Sequence, residues 1–221
     1  MSFVRLGLDL LGELVSPTRC AACDERVGAR VVFCGSCALS VSRAGPARRL
    51  TAGGALAGEH AVLAYGGAVA TAIMQLKYFG RSDLLPRFGA VMAVAAREIT
   101  EGVDVVVSVP LHPVRLAARG FDQAALLAGP VARQLRVKHE VGALERVRDT
   151  PKQATHGREA RAANVAGAFR CAGERIAGRR VLLVDDVRTT GATLSACAVA
   201  LRGGGARRVV SLVLASRDLE G

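Results

Sequence analysis

The chain has 221 residues, 51% of them hydrophobic, which is enough for one medium domain with a sizeable core and a small appendage. Its apolar runs stop well short of the roughly 20 residues that a membrane-crossing helix needs, so no transmembrane span is expected. The net charge of +11 is carried almost wholly by arginine, with lysine only at 77, 138 and 152. That balance either attracts polyanions, such as nucleic acid or pyrophosphate-bearing metabolites, or reflects arginine solvating the surface; with aromatics at 4% and no Trp, a broad base-stacking platform is not written into the composition.

Along the chain, residues 3–15 read as an amphipathic helix. Asp9 and Glu13 interrupt its apolar residues, which argues against a signal peptide and for a cytoplasmic protein. Residues 19–40 hold two cysteine pairs, and the Ala/Gly/Arg-rich stretch 43–60 reads as a linker. The expected organisation is therefore residues 1–60 as helix, knuckle and linker, and 61–221 as the main domain. Within the latter, 61–65 suggests a short strand, 67–78 a helix through Val69, Ile73 and Leu76, and 84–99 a second helix. Residues 103–109 form a β-branched run ending at Pro110, a buried-strand pattern. Residues 113–137 are mainly helical with a break near Gly120, and 146–163 form a polar, basic loop. The segment 181–187 reads as a strand, 192–202 as a helix closed by Gly203–Gly205, and 208–215 as a last strand. Strands alternating with helices predict a parallel α/β sheet.

Cys20-Ala-Ala-Cys23 and Cys34-Gly-Ser-Cys37 have the spacing of two metal-binding knuckles. Four thiolates complete a tetrahedral shell and leave no position for a reactive water, so a structural Zn2+ is expected. Disulfides are the rival, which a reducing cytoplasm disfavours; a redox Cys-x-x-Cys, which does not need two paired knuckles, and an iron–sulfur cluster are further alternatives. Cys171 and Cys197 stand alone and read as small buried hydrophobes.

The richest stretch is Val181-Leu-Leu-Val-Asp-Asp-Val-Arg-Thr-Thr-Gly-Ala-Thr193. An apolar run feeds two adjacent acids, then a Thr/Gly turn that opens a helix. Free backbone amides at a helix start favour an anion, and Gly191 lets the backbone approach it closely. Thr189, Thr190 and Thr193 add hydroxyl donors. Asp185 and Asp186 are unsuited to a phosphate but suited to ribose hydroxyls, or to a Mg2+ bridging ribose and pyrophosphate. The segment closely resembles the PRPP-binding signature of type I phosphoribosyltransferases. A plain βα turn with surface acids is the bland alternative.

Three further groups stand out. Ser108-Val-Pro-Leu-His-Pro113 starts at the carboxyl end of a strand, where ligands bind in open α/β sheets, and Arg115 and Arg119 follow one helical turn apart. They suit pyrophosphate, or they are solvated arginines beside a packed His112. Arg146-Val-Arg148-Asp-Thr150-Pro-Lys152-Gln153, leading to Arg158, Arg161 and Asn164, suits a loop closing over a polyphosphate, or a solvated surface loop. Leu76-Lys77-Tyr78-Phe79-Gly80-Arg81 reads as a helix end, with recognition of a base or nucleic acid as an additional role.

In order and spacing these blocks resemble the ComF family of competence-associated, phosphoribosyltransferase-like proteins. The resemblance rests on the four knuckle cysteines, Leu76-Lys-Tyr-Phe-Gly80, Val109-Pro-Leu-His-Pro-x-Arg115 with Arg119-Gly-Phe-Asp-Gln-Ala124, and Arg148-x-Thr150-x-x-Gln153. It continues through Arg161-x-x-Asn164-Val165 and Val184 to Thr193. It departs where the family usually has Asn and this chain has Asp122, which matters if that side chain must donate a hydrogen bond. The resemblance implies a type I phosphoribosyltransferase fold, a parallel sheet flanked by helices with an N-terminal four-cysteine zinc-binding extension. It implies that Asp185 and Asp186 face the PRPP ribose, that Arg188, Thr189, Thr190, Gly191, Ala192 and Thr193 hold its 5′-phosphate, and that Mg2+ accompanies PRPP. Pro110, Leu111, His112, Arg115 and Arg119 would belong to the pyrophosphate loop; Arg148, Lys152, Gln153 and Arg161 would belong to the flexible loop. The partners it implies are PRPP, single-stranded DNA and other DNA-uptake proteins. Two functions follow: handling of incoming single-stranded DNA in natural transformation, or an active phosphoribosyltransferase with an unidentified acceptor. Fold does not decide between them.

Overall fold

The computed structural model describes residues 17–50, 54–99, 102–149 and 164–217. The expected helix over 3–15 and loop residues Thr150, Lys152, Gln153, Arg158 and Arg161 lie outside them. The strands are β1 (Arg43–Leu50), β2 (Gly58–Ala64), β3 (Val105–Ser108), β4 (Lys138–His139), β5 (Leu144–Arg146), β6 (Phe169–Cys171), β7 (Arg180–Arg188) and β8 (Arg208–Ser216). The helices are α1 (Gly35–Ala38), α2 (Gly67–Tyr78), α3 (Leu85–Ala96), α4 (Pro113–Arg119), α5 (Gln123–Leu135) and α6 (Ala192–Gly203). Six strands form one sheet in the order β1-β2-β8-β7-β3-β4, parallel throughout except for β1, which pairs antiparallel with β2. β5 and β6 form a separate antiparallel pair.

The central strands are apolar on both faces because both faces are covered. Val106, Leu182, Val184, Leu212 and Leu214 point into one core with α2, α3 and α5. Their alternates Val105, Val107, Val181, Leu183, Val209 and Val213 point into a second core with α6 and the β5–β6 pair. Side chains alternate along a strand, so a continuous apolar run is what a doubly covered parallel strand requires. Each such side chain contributes roughly 1.5–3 kcal/mol relative to exposure. The same alternation carries on past Val184: Asp185 falls on the α6 side and Asp186 on the α2 side.

The expected linker over 43–60 contains β1 and the start of β2. β1 is an edge strand, which tolerates the Pro46 that a central strand would not. The break near Gly120 is present: Gly120 closes α4 with φ 80, and Asp122 caps α5. The cysteine segment packs onto the same core as α2 and α3, with Ala21 fully buried and the Phe33 ring 6.2 Å from that of Phe88. Among the described residues no helix is long and apolar enough to cross a membrane.

Candidate functional site

All the parallel strands end on one side of the sheet, and a cavity of about 510 Å3 opens there. Its wall includes Asp185, Asp186, Thr189, Thr190, Ala192 and Thr193 from the β7–α6 junction, and Val109, Pro110 and Leu111 from the loop after β3. Five cations join them: Lys77, Arg115, Arg119, Arg146 and Arg217.

β7 delivers both acids to this edge. Asp185 Oδ1 accepts the Asp186 amide at 2.8 Å. Burial, and then the neighbouring Asp186 charge, push the Asp185 carboxyl well above the usual range. Asp186 is only 3% exposed and faces Lys77, whose Nζ lies 2.8 Å from Oδ2. Burial alone would lower the Lys77 ammonium, but Asp186 outweighs it and the net shift is upward. A buried carboxylate is tolerated here because a specific cation meets it.

After Arg188 the chain turns through Thr189 and Thr190 to Gly191, whose φ of 77 suits glycine, and α6 begins with Gly191 as N-cap. No side chain caps this helix start. Its first residues, Ala192 and Thr193, line the cavity, and the unpartnered amides of a helix start are what takes a phosphate oxygen. Arg188 belongs to β7, and its side chain is not part of the cavity wall: it is 4% exposed, with Nε donating to the buried Glu59 carboxylate.

In the loop after β3, Pro110 and Leu111 line the cavity but His112 does not. His112 is the N-cap of α4, its Nδ1 accepting from the Val114 amide at 3.4 Å. Arg115 and Arg119 both reach the cavity; Arg115 pairs with Asp149 at 3.1 Å and Arg119 donates to Gln123 Oε1 at 2.6 Å. Asp122 Oδ1 accepts from the Ala125 amide at 3.0 Å, a capping role that a carboxylate fills as well as an amide does. Arg148 stands outside the cavity wall and donates to the carbonyls of Asn164 and Ala166 at 3.0 and 2.7 Å. Its neighbour Arg146 is the one that lines the cavity, stacked 5.3 Å over Phe169. Burial, and then the adjacent Arg115, lower its pKa. Two crowded guanidinium groups in one wall favour an incoming anion.

Sequence reasoning alone did not place Lys77, Arg146, Gln123 and Arg217 in one wall. For Lys77 a signal existed: it is the only Lys before residue 138 in an arginine-rich chain. A compact ammonium fits one carboxylate where a guanidinium fork does not.

The four knuckle cysteines converge on one another and do not line the cavity. Their Sγ atoms all lie within 4.8 Å of one another, and Cys23 Sγ is 3.5 Å from Cys34 Sγ. A tetrahedral metal with bonds of about 2.3 Å spaces its sulfurs by about 3.8 Å, so the set fits a metal ion, and it is far too wide for an S–S bond. All four are free thiols. Burial raises Cys20, but amides of Cys23, Cys34 and Ala22 outweigh it and bring the thiol down to about 6, while Cys37 is pushed up to about 12, chiefly by Cys23. Held together as deprotonated ligands, four such sulfurs need a cation between them.

The phosphoribosyl transferase domain family matches residues 122–219. Escherichia coli (strain K12) DNA utilization protein YhgH is 37% identical over 142 residues, 62% of this chain and 62% of that protein, less than two thirds of its length. The Salmonella typhimurium protein of the same name is 30% identical over 206 residues, covering 86% of both chains. This chain belongs to the ComF family. Haemophilus influenzae Competence protein F, 36% identical over 101 residues, covers 45% of this ComF-family chain and 44% of its own. The parallel sheet flanked by helices is thus the type I phosphoribosyltransferase fold, carrying an N-terminal four-cysteine cluster.

Proposed function

We propose that this ComF-family protein binds PRPP in the cavity at the strand ends and acts in the cytoplasm in DNA uptake, handling incoming single-stranded DNA with other DNA-uptake proteins. The observation that carries the ligand reading is the cavity itself. An uncapped helix start and five cations, suited to phosphates, surround two adjacent acids suited to hydroxyls. In this reading the amides and hydroxyls of 189–193 hold the 5′-phosphate, and Asp185 and Asp186 hold the ribose edge. Arg115, Arg119 and Arg146 hold the pyrophosphate, and Lys152, Gln153 and Arg161 close over it. Asp185 and Asp186 are the hard oxygen donors that Mg2+ takes, and Mg2+ would neutralise charge on the pyrophosphate. The metal of the cysteine cluster is a structural Zn2+. The DNA role is supported by the names of the relatives and the charge of +11. The test is single-stranded DNA binding across a salt series: affinity should fall steeply with salt, and less steeply once Arg148, Lys152, Arg158 and Arg161 become Ala. Salt-independent or undetectable binding would remove the DNA role.

The paired acids favour a second reading, active transfer. An acceptor nucleophile forms a bond to the ribose anomeric carbon while the bond to pyrophosphate breaks and pyrophosphate leaves with the electron pair. Asp185 and Asp186 steady the electron-poor ribose, and the cavity arginines steady the departing charge. Labelled PRPP with a panel of bases should then release pyrophosphate, and Asp185→Asn with Asp186→Asn should stop it. Tight PRPP binding without turnover on any acceptor leaves the binding role alone.

A further inference from the structure

α2 carries the cation that faces the acidic pair, and both of its ends are fastened to the cysteine segment. At its start, the Ala68 amide has no partner within the helix and donates to Ser40 Oγ at 3.1 Å. The Ser40 hydroxyl in turn donates to the carbonyl of Cys37 at 2.9 Å. The approach is close: a Cβ on Gly67, where φ is 46, would lie 2.9 Å from Ser40 Oγ. At the other end, Arg81 follows α2 by three residues, and its Nη1 donates to Asp24 Oδ1 at 2.8 Å. Asp24 directly follows Cys23 and is held at φ 64, a left-handed setting that, glycine aside, Asp and Asn tolerate best. The neighbouring helix α3 is tied to the same segment, Arg87 Nη1 donating to the carbonyls of Arg19 and Val31 at 2.9 and 2.7 Å. Between the two ends, Val69, Ala72, Ile73 and Leu76 seat α2 on the sheet, and Lys77 reaches Asp186 at 2.8 Å.

An apolar stripe holds a helix against a sheet but leaves it free to slide or turn slightly, whereas a 2.8 Å contact is lost within a shift of about 1 Å. The end ties supply the missing constraint. We propose that the metal-loaded cysteine cluster acts as the anchor of α2, with Ser40, Asp24 and Arg81 as positioning residues that set Lys77 against Asp186, so that metal occupancy controls how well the cavity takes its ligand. The proposal holds for any anionic sugar ligand of the cavity; its affinity arm alone rests on the PRPP reading.

The test uses the full chain. Ser40→Ala with Asp24→Ala leaves all four cysteines intact and should keep one metal per chain. Amide hydrogen exchange without ligand should rise about tenfold in peptides spanning 66–81, and stay unchanged in 192–203, in this double variant and after chelation. Asp24→Asn keeps an acceptor for Arg81 and tolerates φ 64, so paired with native Ser40 it should restore protection. In calorimetry the double variant should bind PRPP about tenfold more weakly. In a Lys77→Met background the same changes should have no further effect on affinity, which a general loss of stability would not reproduce. Unchanged exchange over 66–81 in the metal-loaded double variant overturns the proposal, even where chelation unfolds the whole chain. So does wild-type PRPP affinity in that variant. If the wild-type chain takes no PRPP, the ligand reading fails and hydrogen exchange still decides the anchor.

Discussion

Replacing Lys77 with Met removes the cation that meets Asp186 while keeping the side chain's length and packing. At 2.8 Å and an effective dielectric of about 20, the gross attraction is about 6 kcal/mol, and holding a mostly buried ammonium out of water takes back several of these. Asp186 is 3% exposed, so without Lys77 its buried charge stands there uncompensated. The expected cost is about 3 kcal/mol, the low end for breaking a buried pair because the cavity admits water. For a chain of 221 residues this lowers the melting temperature by about 6–12 °C. Adding Asp186→Asn removes the stranded charge, so the double variant should cost only about 1 kcal/mol. Denaturant melts of the four proteins, without ligand, give the coupling directly. A Lys77→Met cost below about 0.5 kcal/mol, or additive single costs, would refute the reasoning.

Three further outcomes are expected. Asp185 carries a carboxyl whose folded pKa is raised, so its contribution to stability is full below the unfolded pKa and is lost as pH rises through the folded one. Asp185→Asn should therefore make the ligand-free chain more stable at pH 7 but not at pH 3, and a neutral or lower melting temperature at pH 7 would contradict this. Asp104 is held down to about 2, first by the Arg180 side chain and then by its amide, so its contribution is present above the unfolded pKa and lost as pH falls towards 2. The stability gap between wild type and Asp104→Asn should accordingly close between about pH 4 and pH 2 in acid melts, and a constant gap would count against the pair. Gly191→Ala sets a Cβ at φ 77, only 3.3 Å from Arg188 Nε, and should cost about 1–2 kcal/mol in denaturant melts while weakening phosphate-ligand binding.

The strands flanking the site were legible because burial on both faces writes an unbroken apolar run, as in Val181–Val184 and Val105–Val107. The break at Gly120 was legible for a local reason, a helix closing in a left-handed setting. β1 was not, because an edge strand such as Arg-Ala-Gly-Pro-Ala-Arg-Arg-Leu is held by backbone pairing to β2 rather than by its own pattern. β4, β5 and β6 are two or three residues long, too short to show a period. In the site, the β7–α6 junction was readable because its chemistry is contiguous in sequence. The partner of Asp186 was not, because Lys77 lies more than a hundred residues away and its helix-end setting hid it. Arg188 and His112 sit inside the motifs, yet one continues the strand and meets Glu59, and the other caps α4. Motif membership fixed their place in the chain but not the direction of their side chains.

The ligand reading stands most directly on one calorimetric titration of PRPP with Mg2+ into the full chain. It predicts saturable binding at one site, weaker uptake of ribose 5-phosphate or of pyrophosphate alone, and no detectable PRPP binding once Asp185 and Asp186 are both Asn. A titration without binding heat, or a double variant that binds as the wild type does, would contradict it.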